Sequence, residues 1–269
     1  MAMLELIQYG FFRNALTGIL LLSISAAIIG TYIVTRRLAA LAGGVTHACF
    51  GGLGLGYFMG WNPLWPAMAF AVAASAGVER LSTGGRVRSD SAVAVVWALG
   101  MAVGVLFVFL TPGYVPELNA FLFGNILTIS TADLWMEGAY VALLMGLFAV
   151  MGRRIVACAF DADFAQVAGL PARGINALMS VMTSIGIVLT IRLVGVMLLM
   201  SMLVLPALTA ECLTRSYRRI TLLAAVLCLG SSLAALWLST LVDVPCSAFI
   251  VLVQGAAYAL TRLLTSRRQ

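Results

Sequence analysis

Residues 14–35 read NALTGILLLSISAAIIGTYIVT, twenty-two positions without a charge. As an α-helix this stretch is about 33 Å long, enough to cross a hydrocarbon core of roughly 30 Å. Its polar side chains are Ser, Thr, Asn and Tyr, none of which carries a charge at neutral pH, so lipid is a tolerable solvent for it. Beyond Arg36 and Arg37 the pattern repeats: 38–78 is a double-length apolar run interrupted only at 61–66, Trp-Asn-Pro-Leu-Trp-Pro, a turn with tryptophans suited to a membrane interface. Further runs occupy 91–111, 134–152 with Glu137 near its outer end, 174–191, 193–210, 220–242 and 244–261. Nine candidate spans result, two of them short and flanking Arg192.

The whole composition agrees. The chain of 269 residues is 62% hydrophobic and 10% charged, with mean hydropathy +1.07, outside the range of water-soluble domains. The expected fold is an all-α integral membrane protein, a polytopic bundle of eight or nine transmembrane helices. The ambiguity is whether the pair around Arg192 is a hairpin or one broken helix. No soluble stretch is long enough to bury a core of its own, so residues 1–269 read as a single transmembrane domain whose soluble work falls to partners. Five scattered cysteines have neither metal nor disulfide spacing.

All sixteen basic residues are arginine. Short cytoplasmic loops hold the excess of positive charge, so the arginines test the spans and set the orientation. With the N-terminus outside and the C-terminus inside, Arg13 and Arg192 fall outside and the other fourteen, among them Arg80, Arg153, Arg154, Arg215, Arg218 and Arg219, fall inside. The net charge of +6 thus faces anionic headgroups. Without a basic soluble patch carrying interleaved aromatics, nucleic acid is not an expected partner. The outer connection 112–133 carries an apolar stretch, 120–127, with room for a short re-entrant or interfacial helix, or for a loop lying on the headgroups.

Four places carry polar or breaker signals. His47, the only histidine, lies near the middle of the second span, where an ionisable group is costly unless it has a task. Gly43 and Gly51, one turn to either side, would leave open volume for the imidazole to meet a passing ion; a hydrogen bond to a neighbouring helix is the equally weighted alternative. Gly44, Ala48, Gly52, Gly56 and Gly60 form a stripe of small residues at helical spacing, read as helix packing. In the segment 153–173, Asp161 is a plausible N-cap, Gly169 a helix stop, and Phe160, Phe164 and Val167 recur at i, i+4, i+7 as an apolar knob on the cytoplasmic side. It suits a protein partner or an interfacial connector. In 195–206 the run ends in Pro206, which should kink its helix, and Met197, Met200 and Met202 offer thioethers that packing explains more simply. Glu211 reads as a cytoplasmic boundary residue and Asp243 as an N-cap at an outer junction.

Taken in order, Arg36-Arg37 before Thr46-His47-Ala48 and the glycine stripe, then 160–165 with Gly169, then 194–198 leading to 205–207 with Ala210, and finally 243–245, resemble the membrane permease subunits of zinc, manganese and iron ABC importers over most of the chain. The resemblance implies a homodimer of permeases with the path at the dimer interface, a pair of cytoplasmic ABC ATPases that bind ATP, and an extracytoplasmic metal-binding protein that delivers the ion. It makes 160–170 the coupling helix, with Phe160, Asp161, Phe164, Val167 and Gly169 engaging the ATPase, and places His47, Thr46 and Met200 along the path of a divalent metal ion. Nothing is expected to be bound permanently and the chain itself has no catalytic residue. Where such permeases commonly carry an aspartate one turn before the histidine, this chain has Gly43. Another carboxylate, two His47 side chains across an axis, or a metal chelate as substrate are the available compensations. The competing class is an ion-coupled secondary transporter, which normally carries carboxylates within its spans. An intramembrane enzyme ranks last, because His47 lacks the partners that hydrolytic chemistry needs.

Overall fold

In the computed structural model, residues 8–82, 88–112, 124, 126–242 and 244–266 are described. Among them every regular element is helical: α1 Gly10–Thr35, α2 Ala39–Met59, α3 Leu64–Ser82, α4 Ser89–Leu110, a 3-10 turn Ile126–Thr128, α5 Thr131–Phe160, α6 Ala162–Val167, α7 Ala172–Leu213, α8 Tyr217–Val242 and α9 Cys246–Ser266. This is what a chain in lipid must do, since a helix satisfies its backbone N–H and C=O groups internally. Seven of the helices are long and apolar enough to cross a membrane. The nineteen-residue α3, with Glu79 and Arg80 in its last turn, is not among these seven. Asp243, Arg86, Arg267, Arg268 and most of the apolar stretch 120–127 lie outside the described residues.

Of the two arrangements expected around Arg192 the broken helix is the one found, with its break at Gly195. Helical hydrogen bonding runs through Arg192, and the backbone leaves helical geometry at Gly195 (φ 79°, ψ 168°), a region that only glycine enters readily. The forty-two residues of α7 therefore fall into two segments, 172–194 and 196–213, each long enough to span. There is no hairpin loop at Arg192. Pro206, the expected kink, sits within backbone of helical dihedrals.

The chain divides into two compact units, one of residues 1–35, 119–150 and 190–269, the other of residues 36–118 and 151–189. In the second unit α2, α3 and α4 pack through glycine. A Cβ on Gly52 would lie inside the Pro66 carbonyl of α3, one on Gly44 would strike Val93 of α4, and one on Gly56 would lie 2.7 Å from Pro63 Cα. From the other side Gly100 meets Ala48, and Gly104 meets Gly54 and Phe50. Such close approach gives van der Waals contact without relying on a hydrophobic drive that lipid does not supply. Val78, Ala92 and Val93 form a small buried cluster there.

In the first unit α1 packs along α8, with Ala27, Ala207, Ala210, Ile220 and Ala224 buried together, and Gly30 of α1 sits against the Leu203 carbonyl of α7. Asn14 of α1 donates to the Ile129 carbonyl (3.1 Å) and so holds the end of the 3-10 turn near the start of the helix. Ser130 and Asp133 cap the start of α5 reciprocally: the Ser130 hydroxyl donates to Asp133 Oδ2 (2.6 Å) and accepts from the Asp133 N–H (3.2 Å).

Candidate functional site

Positions along α2 decide what His47 can reach. Thr46 is buried and turns its hydroxyl back onto the Ala42 carbonyl (2.7 Å), whereas His47 is half-buried and stacks its ring on Trp97 of α4, with centroids 4.4 Å apart and planes within 6°. One face of the imidazole is covered and its edge nitrogens are left to other partners. The open volume anticipated around Gly51 is filled: a Cβ there would lie 2.7 Å from the Phe70 ring and 3.0 Å from the Gly100 carbonyl. Gly43, on the side of His47 nearer the helix start, is half-buried. Among the described residues no three His, Cys, Asp or Glu side chains converge as a metal cluster.

Met200 belongs to the other unit, in the segment of α7 that follows Gly195. It is half-buried, Met197 is exposed and Met202 is buried. At about 100° per residue, Met202 points to the opposite side of the helix from Met200, so the three thioethers do not share one face. Nearby, Gly124 (φ 54°) fits against the Val194 carbonyl group and the Gly195 N–H, where any side chain would collide. Arg192, one of two arginines assigned to the outside, pairs its Nε with Asp133 Oδ1 at 2.7 Å. Glu211 is exposed near the end of α7 and lines a cavity of about 460 Å³ with Arg215, Arg262 and Thr265.

Glu137 lies in the second turn of α5, near the end of the helix where the sequence puts it. It is fully buried, and the Ser25 hydroxyl of α1 donates to its Oε1 at 2.8 Å. Ser25 lies near the middle of the twenty-six-residue α1, so the carboxyl group is enclosed between α1 and α5.

The segment 160–170 is built as a knob capped at both ends. Asp161 Oδ1 accepts from the Phe164 N–H (2.8 Å), which caps the start of α6. At its end Gly169 takes φ 83°, and the Leu170 N–H reaches back to the Ala165 carbonyl (2.9 Å), closing the helix as glycine-stopped helices do. Between these caps Phe160, Phe164 and Val167 are 62, 71 and 88% exposed. Asp161→Ala is expected to loosen this short helix by about 1 kcal/mol, read as faster amide hydrogen exchange at Phe164 with the spans unchanged.

Residues 8–265 match the ABC 3 transport family. The chain belongs to this family. It is 30% identical over 259 residues to the "Manganese transport system membrane protein MntC" of Halalkalibacterium halodurans, covering 95% of this chain and 88% of that one. It is also 30% identical over 258 residues to the "Probable iron transport system membrane protein" of Haemophilus influenzae, covering 96 and 95%. The structure titled "PsaBC from Streptococcus pneumoniae in complex with Fab" superposes with a TM-score of 0.85 at 22% identity, covering 96% of this chain and 93% of that one. The chain is thus a multi-pass membrane protein of the metal ABC permease family, whose relatives are transport permeases rather than enzymes.

Proposed function

We propose that this chain is the membrane-spanning permease of an ATP-driven importer for a divalent metal ion, in the range manganese, iron and zinc. The observation that carries this reading is the capped knob of Phe160, Phe164 and Val167, held out from the second unit in a chain of the ABC 3 transport family. A permease without ATPase machinery of its own needs a stiff apolar projection through which a partner's movement is transmitted, and a six-residue helix fixed at both ends supplies it. ATP is then bound by a cytoplasmic ABC ATPase, an extracytoplasmic metal-binding protein delivers the ion, and two copies of this chain enclose the path. The arginine distribution supports an N-terminus outside and a C-terminus in the cytoplasm of the cell (inner) membrane.

On this reading His47 of α2 meets the ion in the second unit, with Thr46 beside it bonded to the Ala42 carbonyl, and Met200 of α7 is a candidate contact in the first unit. An imidazole suits borderline divalent cations, and its Trp97 stack keeps it oriented. His47→Ala is expected to lower metal uptake by roughly tenfold or more with ATPase assembly unchanged; uptake at the wild-type level would return His47 to a packing role. The class itself is tested by purifying the tagged chain from native membranes in mild detergent. An ABC ATPase should accompany it and manganese, iron or zinc should stimulate ATP hydrolysis in the complex. A chain that purifies alone and moves metal without nucleotide would overturn the assignment.

A further inference from the structure

Among the described groups, Glu137 is a side chain that transport as outlined above does not use. Its carboxyl group is fully buried in the first unit, on the part of α5 that packs beside α1, where Gly138 approaches Leu21 and Leu134 approaches Gly18. The Ser25 hydroxyl donates to Oε1, and Oε2 has no hydrogen-bond partner. A carboxylate at this depth, without a cation beside it, is among the most unfavourable states a side chain can take. The charges nearest in sequence are committed elsewhere or distant: Asp133 is bound to Arg192, and α1 carries Arg13 toward its outer end. The other titratable side chains on these stretches of the two helices are Tyr140 on α5 and Tyr32 on α1. The 3-10 turn at Ile126–Thr128 contributes no ionisable side chain, and the nearby segment of α7 contributes Arg192.

We propose that Glu137 and Ser25 form an intramembrane proton-binding site, which holds one proton while α1 and α5 are packed and exchanges it when water reaches the seam. A divalent ion is a poorer occupant. Manganese, iron or zinc would require four or more ligands, and this site offers one carboxyl group and one hydroxyl that already donates to it. A proton needs a single lone pair, and Oε2 has one to give. The neutral carboxyl accepts from Ser25 through Oε1 and needs no countercharge. The packed state then holds one more proton than a state in which Glu137 meets water, so its stability falls as pH rises.

The test is infrared difference spectroscopy of the full chain in lipid nanodiscs, wild type minus Glu137→Gln, in neutral and mildly alkaline buffer. The protonated carboxyl C=O stretch should be present in the wild type, absent from the variant, and shifted by Ser25→Ala, which removes the donor to Oε1. The wild type should lose melting temperature in alkaline buffer, and Glu137→Gln, isosteric with the neutral acid, should not. An ionised carboxylate band at neutral pH, or a carboxyl band converted to a metal-carboxylate band by added manganese, would overturn the proposal. The Ser25→Ala shift is read on a chain that retains Glu137, and so decides the matter should the glutamine variant not assemble. The carboxyl band, its Ser25→Ala shift and the melting temperatures are read without metal, so they do not depend on which ion is transported.

Discussion

Phe164→Asp is expected to reduce ATP-driven metal uptake by at least ~30-fold, the loss that follows when an aromatic anchor worth about 2 kcal/mol or more is removed from an interface. The side chain is 71% exposed, so the folded permease loses no core contact when it is replaced. The substitution leaves the Asp161 cap in place, because the backbone N–H of position 164 is the donor there. It would, however, put a carboxylate into the apolar surface of a partner. The variant should insert and fold like the wild type, and the ATPase should bind weakly or hydrolyse without transport. Both are read in proteoliposomes by following metal uptake and phosphate release together. Normal uptake by this variant would remove the coupling role from residues 160–170.

Gly52→Leu is expected to abolish assembly of the second unit. A single Cβ at this position already coincides with the Pro66 carbonyl group, and neither backbone can rotate away as a side chain could. The cost lies at or above the top of the ~1–3 kcal/mol usual for an overpacked core, and α3 would have to separate from α2. Thermal unfolding of the detergent-purified variant is the measurement. Gly146→Ala in α5 is its control, because a Cβ there meets open space and the change stays within about 1 kcal/mol, in the direction of greater helix stability. A Gly52→Leu protein that melts with the wild type would contradict the packing described for α2.

Spans can be read from the chain wherever the signal is local. An uncharged stretch such as 14–35 has one outcome in lipid, and residues 61–66 bend the chain with Asn62 Oδ1 accepting from the Leu64 N–H (3.1 Å), a contact two residues apart. Asp161 and Gly169 likewise cap their helix with neighbours and are recognisable from residue type alone. Features that the sequence leaves open depend on partners remote along the chain. Arg192 looks like a loop residue until its partner Asp133 is known, and the break falls at Gly195, which in sequence is one small residue in an apolar run. The same applies to Glu137, whose donor Ser25 is 112 positions away. It applies also to His47, whose ring lies on Trp97 from a different helix. Neighbouring-helix contacts of this kind leave no periodicity for a sequence to reveal.

The indole beneath the imidazole also bears on how fast and how selectively an ion could be handled. An unconstrained histidine samples several rotamers and surrenders that freedom each time it takes a ligand. Stacked at 4.4 Å and nearly parallel to Trp97, the His47 ring is ordered before any ion arrives, so little conformational entropy is left to lose on capture or regain on release. In the proposed role of His47 an ion would meet the nitrogen lone pairs, which lie in the imidazole plane, and the Trp97 stack sets where that plane lies.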